Sequence, residues 1–485
     1  MPLDVVSAAY HVTNPEMRTP FHFGNVAMTE CPHVFLDLSV DFDGHVVHGR
    51  SMGGLIPMWF YKDPSMSLSE GLGNMIGVFC TAGALAEKAS PAETAFDAWR
   101  DVYERQREWA ADTDYPPLLW GYGVSMVEQA LIDAVCRCRN VTFGEAVREN
   151  VLGLPLGSIY DELEGYEPAD LLPEKPRRST AIRHTVGLTD PLTDDEIAHE
   201  DRLEDGLPES LAGYVREDGV DHFKIKLSAD RERDAKRLSR IHDILEGLDV
   251  GDYAFTVDAN EGYASAGAFK RQWEALRDDP DRRSLLENLL YVEQPLARDD
   301  AFSDETRAVF ENWAGKPPII IDESDDRLTS ARTALEYGYD GTSHKNCKGV
   351  FRGVANACLI EHRNRTDPEG EYILSAEDLT TIGPIELLQD LAVVATIGAS
   401  HVERNGHHYF RGLSAFPEAV QRTLLDAHGD LYRRHGERFA TLAISDGEID
   451  LGSAVDAPLG VDPAFDTSQF TPIETWIDDR LDGEA

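Results

Sequence analysis

The chain has 485 residues, with 45 Lys or Arg against 88 Asp or Glu, for a formal charge of −43. Gripping a phosphate chain or an anionic lipid surface needs a basic face, so neither a nucleic-acid nor a membrane partner is expected. At 42% hydrophobic, the chain can bury sizeable cores, and its length fits about two to four domains or one large barrel with attachments.

From the N-terminus, MPLDVVSAAYHVTNPEMRTP carries no basic segment followed by an apolar run, and nowhere do about 18 apolar residues stand together, so a cytoplasmic protein is expected. Residues 20–50 read as strands: NVAMTE, the alternating HVFLDLSVDF, and VVHGRS beyond the turn at Asp43-Gly44. A three-stranded antiparallel meander is the economical arrangement. Between residues 69 and 150 the apolar spacing becomes i, i+3, i+4, as in SMVEQALIDAVCRCRN, which predicts amphipathic helices. Residues 1–155 are therefore expected to form an α+β domain, and the Pro- and Gly-rich stretch 156–178 to be a connection.

From 179 to 410 a short β-rich run followed by a helical run recurs. The strand candidates are TAIRHTVGL, HFKIKL, YAFTVDAN, LLYVEQP, PIIIDES, GTSHKNC, YILSAED and ASHVERN. Eight strands alternating with helices predict the α/β class and a (β/α)₈ barrel. No Gly-rich phosphate-binding motif follows any of them, so a nucleotide fold has no support. After residue 410, PEAVQRTLLDAHGDLYRRHGERFA reads as helical, and 411–485 is expected to be helices and an acidic tail folding back on the first domain. Six cysteines without a CxxC give no reason to expect a zinc site or a disulfide framework.

Several strands end in charge, which a barrel tolerates at its C-terminal face, where active sites are built. Strand three ends at Asp258, strand four at Glu293 and strand five at Asp322. A lone acid there would be an ordinary solvated or capping residue. Three on consecutive strands form an arc of oxygen donors that suits a hard cation, with Mg²⁺ the natural choice. The second set is basic. The chain has only ten lysines, leaving 35 arginines, and this Lys-poor, acid-rich composition is that of a salt-adapted, halophilic protein. Lys224 and Lys226 share the inward face of strand two, while Lys345 lies on strand six, across the barrel, and Lys348 reads as a surface lysine. A carboxylate substrate between two amines beside a divalent cation could lose its α-proton to a lysine, since clustered cations stabilise the enediolate and lower a lysine pKa. A base on each face permits racemisation or epimerisation.

Taken together, KIK, VDAN, VEQP, IDES and DGTSHKNCKG resemble the enolase superfamily. More closely they are similar to its muconate-lactonizing branch (the mandelate racemase/muconate lactonizing enzyme family), which includes dipeptide epimerases and o-succinylbenzoate synthases. TPFHFG, DGHVVHGRS and EQALIDAV resemble that family's N-terminal capping domain. The resemblance implies Asp258, Glu293 and Asp322 as Mg²⁺ ligands, Lys226 and Lys345 as the acid/base pair, and Lys224 as a hold on the substrate carboxylate. It also implies a homo-oligomer, and capping-domain loops, with Phe21, Phe23, Met52 and Leu55 to Phe60 as candidates, closing over the barrel. Ordinary packing is the competing role for most of these apolar residues. The mandelate-racemase branch has a His–Asp dyad on strands six and seven, but YILSAED offers no histidine, and His344 should face away from Lys345. Strand eight has Glu403 and Asn405 where dipeptide epimerases carry D-x-D, which argues against a dipeptide substrate. Glu403 and Asn405 are the substrate-contact candidates there, with Glu377 and Asp378 as further acids at the rim. A racemase or epimerase of a small carboxylate is the first expectation. A cycloisomerase or a dehydratase/lyase on the same site is the second, and a non-catalytic carboxylate-binding barrel the third.

Overall fold

The computed structural model describes residues 2–23, 26–279, 283–461 and 465–481. Strands β1 (Asp4–Thr13), β4 (His33–Phe42) and β5 (His45–Gly54) form one antiparallel sheet with β4 in the centre, while β2 (Glu16–Phe23) and β3 (Val26–Glu30) form a separate hairpin. Alternation along β4 buries Leu36, Leu38, Val40 and Phe42. Asp43 and Gly44 turn the chain at φ 53° and 88°, as a two-residue hairpin loop requires. The expected meander is thus different in its first member. Of NVAMTE, the described Val26–Glu30 pairs with β2, and its expected place beside β4 belongs to β1. Pro32, lacking an N–H, separates β3 from β4, and the weakly alternating DVVSAAYHVT hid β1 from its sequence pattern.

Behind the sheet lie α1 (Pro57–Phe60), α2 (Leu68–Glu87), α3 (Ala95–Ala110), α4 (Pro117–Arg139) and α5 (Phe143–Arg148). Ser67, Thr94 and Thr142 cap three of them with their hydroxyls. Helix α4 is buried on nearly every face because α2, α3 and the sheet surround it. Gly49 permits this, since a Cβ there would stand 1.9 Å from the Ala130 carbonyl oxygen.

The second sheet is built from eight parallel strands: β6 (Ser179–Val186), β7 (His222–Lys226), β8 (Ala254–Asp258), β9 (Leu289–Glu293), β10 (Ile319–Ile321), β11 (Gly341–His344), β12 (Ile373–Ala376) and β13 (His401–Arg404). The ladder runs unbroken from β12 through β6 and on to β13. Helices lie between successive strands. β12 and β13 lie side by side without pairing, and there the Arg183 guanidinium donates to the Ala376 carbonyl (3.3 Å) and to Ser375 Oγ (3.1 Å).

After β13 the expected helix is shorter, Glu418–Ala427, and β14 (Tyr432–His435) and β15 (Phe439–Leu442) make a hairpin. Gly436, at φ 56°, sets the turn that ends the helical reading. β16 (Glu448–Asp450) adds to β6, β17 (Thr471–Pro472) pairs with β1, and the helix Ile473–Arg480 follows it. Among the described residues, no helix is long and apolar enough to cross a membrane.

Helix α4 also meets the barrel through Glu128, whose carboxylate accepts the Phe351 N–H at 2.5 Å. Burial pushes this carboxyl up to about 8 despite the N–H groups of Phe351 and Val350. The folded chain therefore keeps a proton that the unfolded chain releases near 4.5, and stability falls as pH rises from there through 8. Glu128→Gln is expected to remove this slope, worth on the order of a few kcal/mol, in unfolding midpoints compared at pH 6 and pH 9.

Candidate active site

Backbone register gathers the candidate residues at the C-terminal ends of the strands. Lys226 pairs in register with Asp258, and Asp258 with Glu293, so the ends of β7, β8 and β9 form one row. Glu293 is in register with Ile320, which places Asp322 just past the end of β10. Lys345 follows β11, Glu377 follows β12 and Glu403 lies in β13. Asp258, Glu293, Asp322, Glu377 and Glu403 are all buried.

The lysines bind these acids directly. Lys224 Nζ donates to Glu377 (2.5 Å), Glu293 (2.8 Å) and Glu403 (2.9 Å), and Asp258 lies at 3.2 Å. An ammonium has three N–H groups, so none is left for a substrate carboxylate in this arrangement. Lys226 donates to Asp258 (2.6 Å) and Asn260 (2.8 Å), and with its side chain 23% exposed it is more open to solvent than Lys224, Lys345 or Lys348. Lys345 donates to Asp322 at 2.7 Å, and its ammonium lies 4.7 Å from the centre of the Trp59 ring. Lys348 departs from the surface position expected for it. It is buried, pairs with Asp322 at 2.8 Å and donates to Ser343, because the turn at 346–348 folds it back under Lys345. His344 is buried with Nε2 on Asn346 Oδ1, and burial holds its pKa down at about 4.

Charge is unevenly shared among the acids. Burial pushes Asp258, Asp322 and Glu377 up, but lysines reverse this for the first two, as Arg183 and Lys224 do for Glu377, leaving all three below the usual carboxylate range. Glu293 goes the other way. Burial and the neighbouring Asp258 and Glu377 charges outweigh Lys224 and hold it well above its ordinary value, and its Oε2 is buried with no hydrogen-bond partner. Glu403 is pushed up to about 7 by burial and Glu377, against Lys224. Burial would lower Lys345, but Asp322 more than reverses this and holds it protonated.

A cavity of about 530 Å³ opens on this cluster, lined by Lys224, Lys226, Asp258, Lys345, Glu403 and Asn405 among others. Asp378 also lines it, while Glu377 sits beneath it, clamped by Arg183, Lys224 and Ser375. Glu293 and Asp322 border it through the ammonium groups of Lys224 and Lys345. From the first domain come Pro20, Ile56, Trp59 and Lys62, whereas Phe60 stacks on Tyr122 away from it. The side chains of Phe21 and Phe23 lie outside the described residues. Among the described residues, no three His, Cys, Asp or Glu side chains stand close enough to form a ready cation cage, since ammonium groups fill the spaces between the carboxylates. The donor set still fits a hard cation: all oxygen, on consecutive strands, with an unpartnered Glu293 oxygen.

Two residues of this network, Arg183 and Glu323, are not among the sequence candidates, whereas Trp59 belongs to the expected capping-domain run and Lys348 is the lysine expected at the surface. Arg183 left a trace, as a charge inside the apolar strand TAIRHTV. Glu323, pushed up to about 7 by burial and the Asp322 charge, left none, because neighbouring Asp322 already explained the motif.

No family model matches the chain, and no curated protein matches it in sequence. Among solved structures it resembles an enolase from Bradyrhizobium complexed with magnesium and mandelic acid (TM-score 0.56, 13% identity, 99% of each chain covered). It also resembles the dipeptide epimerase of Enterococcus faecalis V583 complexed with Mg and L-Leu-L-Tyr (0.55, 14%, 84% of this chain and 92% of that one). A third is the N-succinyl Arg/Lys racemase of Bacillus cereus ATCC 14579 (0.56, 14%, 94% and 98%). The chain shares the fold of these three structures. At such identities the likeness is one of fold: a TIM-like barrel with an N-terminal cap.

Proposed function

We propose that this chain is an enolase-superfamily enzyme that removes the proton alpha to a substrate carboxylate, acting as a racemase or epimerase. The observation that carries this is the pair Lys226 and Lys345, which face one cavity from strands four apart in an eight-stranded barrel, beside Asp258, Glu293 and Asp322. Those three acids would hold Mg²⁺, which when bound supplies positive charge against the developing enolate. The chain itself moves the proton. One lysine Nζ accepts the α-proton and the other Nζ returns one to the opposite face, inverting the carbon. Lys345 can act as the base only when the hold of Asp322 on its proton is relaxed. Lys224 donates to Glu293, Glu377 and Glu403 at once, and Glu403 and Asn405, which line the cavity, would contact the substrate. Trp59 and Ile56 give the cavity an apolar wall.

A cycloisomerase or lyase would use the same first step, and Glu403 favours it as the second reading. A carboxylic acid with a pKa of about 7 in the cavity can protonate a leaving group at neutral pH. The test is α-proton exchange in D₂O, in high salt, over mandelate, acid sugars, N-acylamino acids, dipeptides and lactones, with Mg²⁺ or with EDTA. Exchange on at least one class, abolished by EDTA, is the expected result. Inversion without loss of substrate identifies the racemase, and product formation the lyase. Absence of exchange from every class, with carboxylate binding retained, would favour a binding barrel.

A further inference from the structure

We propose that Glu128, on helix α4 of the first domain, is a positioning residue for Lys345; this rests on the acid/base role proposed above. Lys345 is followed by a single tight turn, in which the Lys348 N–H donates to the Lys345 carbonyl and the Gly349 N–H to that of Asn346. The helix Val350–Thr366 then begins at once. Helix starts leave amide N–H groups that a Ser, Thr, Asp or Asn at the cap position commonly satisfies. Here that position is Gly349, at φ 117°, which has no side chain to offer. The acceptor comes instead from 223 residues away, as Glu128 bonds the Phe351 N–H at 2.5 Å. A Cβ at residue 349 would stand 3.1 Å from Glu128 Oε2, so the glycine lets the carboxylate approach.

The same helix reaches the turn a second time. Asn346 Nδ2 donates to Gln129 Oε1 at 3.4 Å, and the Asn346 amide oxygen meets His344 Nε2 at 3.0 Å. Phe351 packs edge-on against Phe96 and at a tilt against Trp99, both on α3. Arg352 donates to the Lys348 carbonyl, closing the turn from the helix side. The segment carrying Lys345 is thus held by the first domain at both ends, whereas the segment after Lys226 is held within the barrel domain, the Leu227 N–H donating to the Asp258 carbonyl and the Ser228 N–H to Asp234. A fault at Glu128 should move one candidate base and spare the other.

Wild type, Glu128→Ala and Glu128→Gln are compared in two measurements. In amide hydrogen exchange, Glu128→Ala should speed exchange over residues 345–353 and leave 222–228 unchanged, while Glu128→Gln, whose amide oxygen still accepts the Phe351 N–H, should behave as wild type. In α-proton exchange with each enantiomer of mandelate, N-succinylarginine and N-acetylmethionine, Glu128→Ala should lose about tenfold to a hundredfold on one enantiomer, the scale of a slightly misplaced catalytic group. The opposite enantiomer and Glu128→Gln should stay within about threefold of wild type. Equal loss on both enantiomers, or unchanged amides at 345–353 in Glu128→Ala, would overturn the proposal. A wild type silent on every probe would remove the enolate reading instead, and the amide result would still decide whether Glu128 holds the Lys345 turn.

Discussion

Lys224→Met is expected to destabilise the fold by about 3–5 kcal/mol, the scale on which removing one partner of a buried ion pair acts. Four carboxylates lie within 3.2 Å of the Lys224 ammonium, and all of these groups are withdrawn from water. Without that charge, Glu293, Glu377 and Glu403 must share protons or repel one another. Their pKa values then rise in the folded state, where more protons are bound than in the unfolded chain, so the loss should grow as pH increases through neutrality. Lys226→Met is the control. Its ammonium meets one carboxylate and the Asn260 amide, and it is partly open to solvent, so the loss there should be much smaller. Thermal unfolding of both variants at pH 5.5 and pH 8.5 measures the difference. Equal midpoints for the two would mean that Lys224 does not carry the buried charge.

Glu293→Gln separates folding from metal chemistry. In the absence of a cation, burial and the neighbouring acids raise the Glu293 pKa and so favour its neutral form. Glutamine resembles that form in size and charge, and the variant should fold as well as wild type. A divalent cation, by contrast, needs the carboxylate. Mg²⁺ affinity measured by titration calorimetry should fall at least about a hundredfold, and α-proton exchange with it. A variant that binds Mg²⁺ like wild type would move the cation away from β9.

Much of the barrel was legible because its parallel strands are largely buried and most write a short apolar run, several of them closed by charge, as in PIIIDES. The row Lys226, Asp258, Glu293 needed only the assumption that consecutive strands pair in register, and they do. Less legible was whatever depends on contact between distant segments. DVVSAAYHVT alternates weakly and reads as a strand only beside β4, so NVAMTE was expected in its place. Gly436 turned an expected helix into the hairpin of β14 and β15. At the site, motifs located side chains but not their partners. Nothing in KIK tells that Lys224 is ringed by acids from β9, β12 and β13, or that Lys348 turns inward to Asp322.

In the proposed mechanism two lysines serve opposite faces of one substrate carbon. Its most direct measurement is solvent deuterium incorporation at the α-carbon of each enantiomer, for wild type, Lys226→Ala and Lys345→Ala, in Mg²⁺ and high salt on the substrate class that exchanges. Each variant should lose inversion by at least about 10²-fold to 10⁴-fold while keeping exchange on the one enantiomer its remaining lysine serves, with the two variants keeping opposite enantiomers. Loss of both enantiomers in one variant and neither in the other would contradict the claim, leaving a single base and a supporting ammonium.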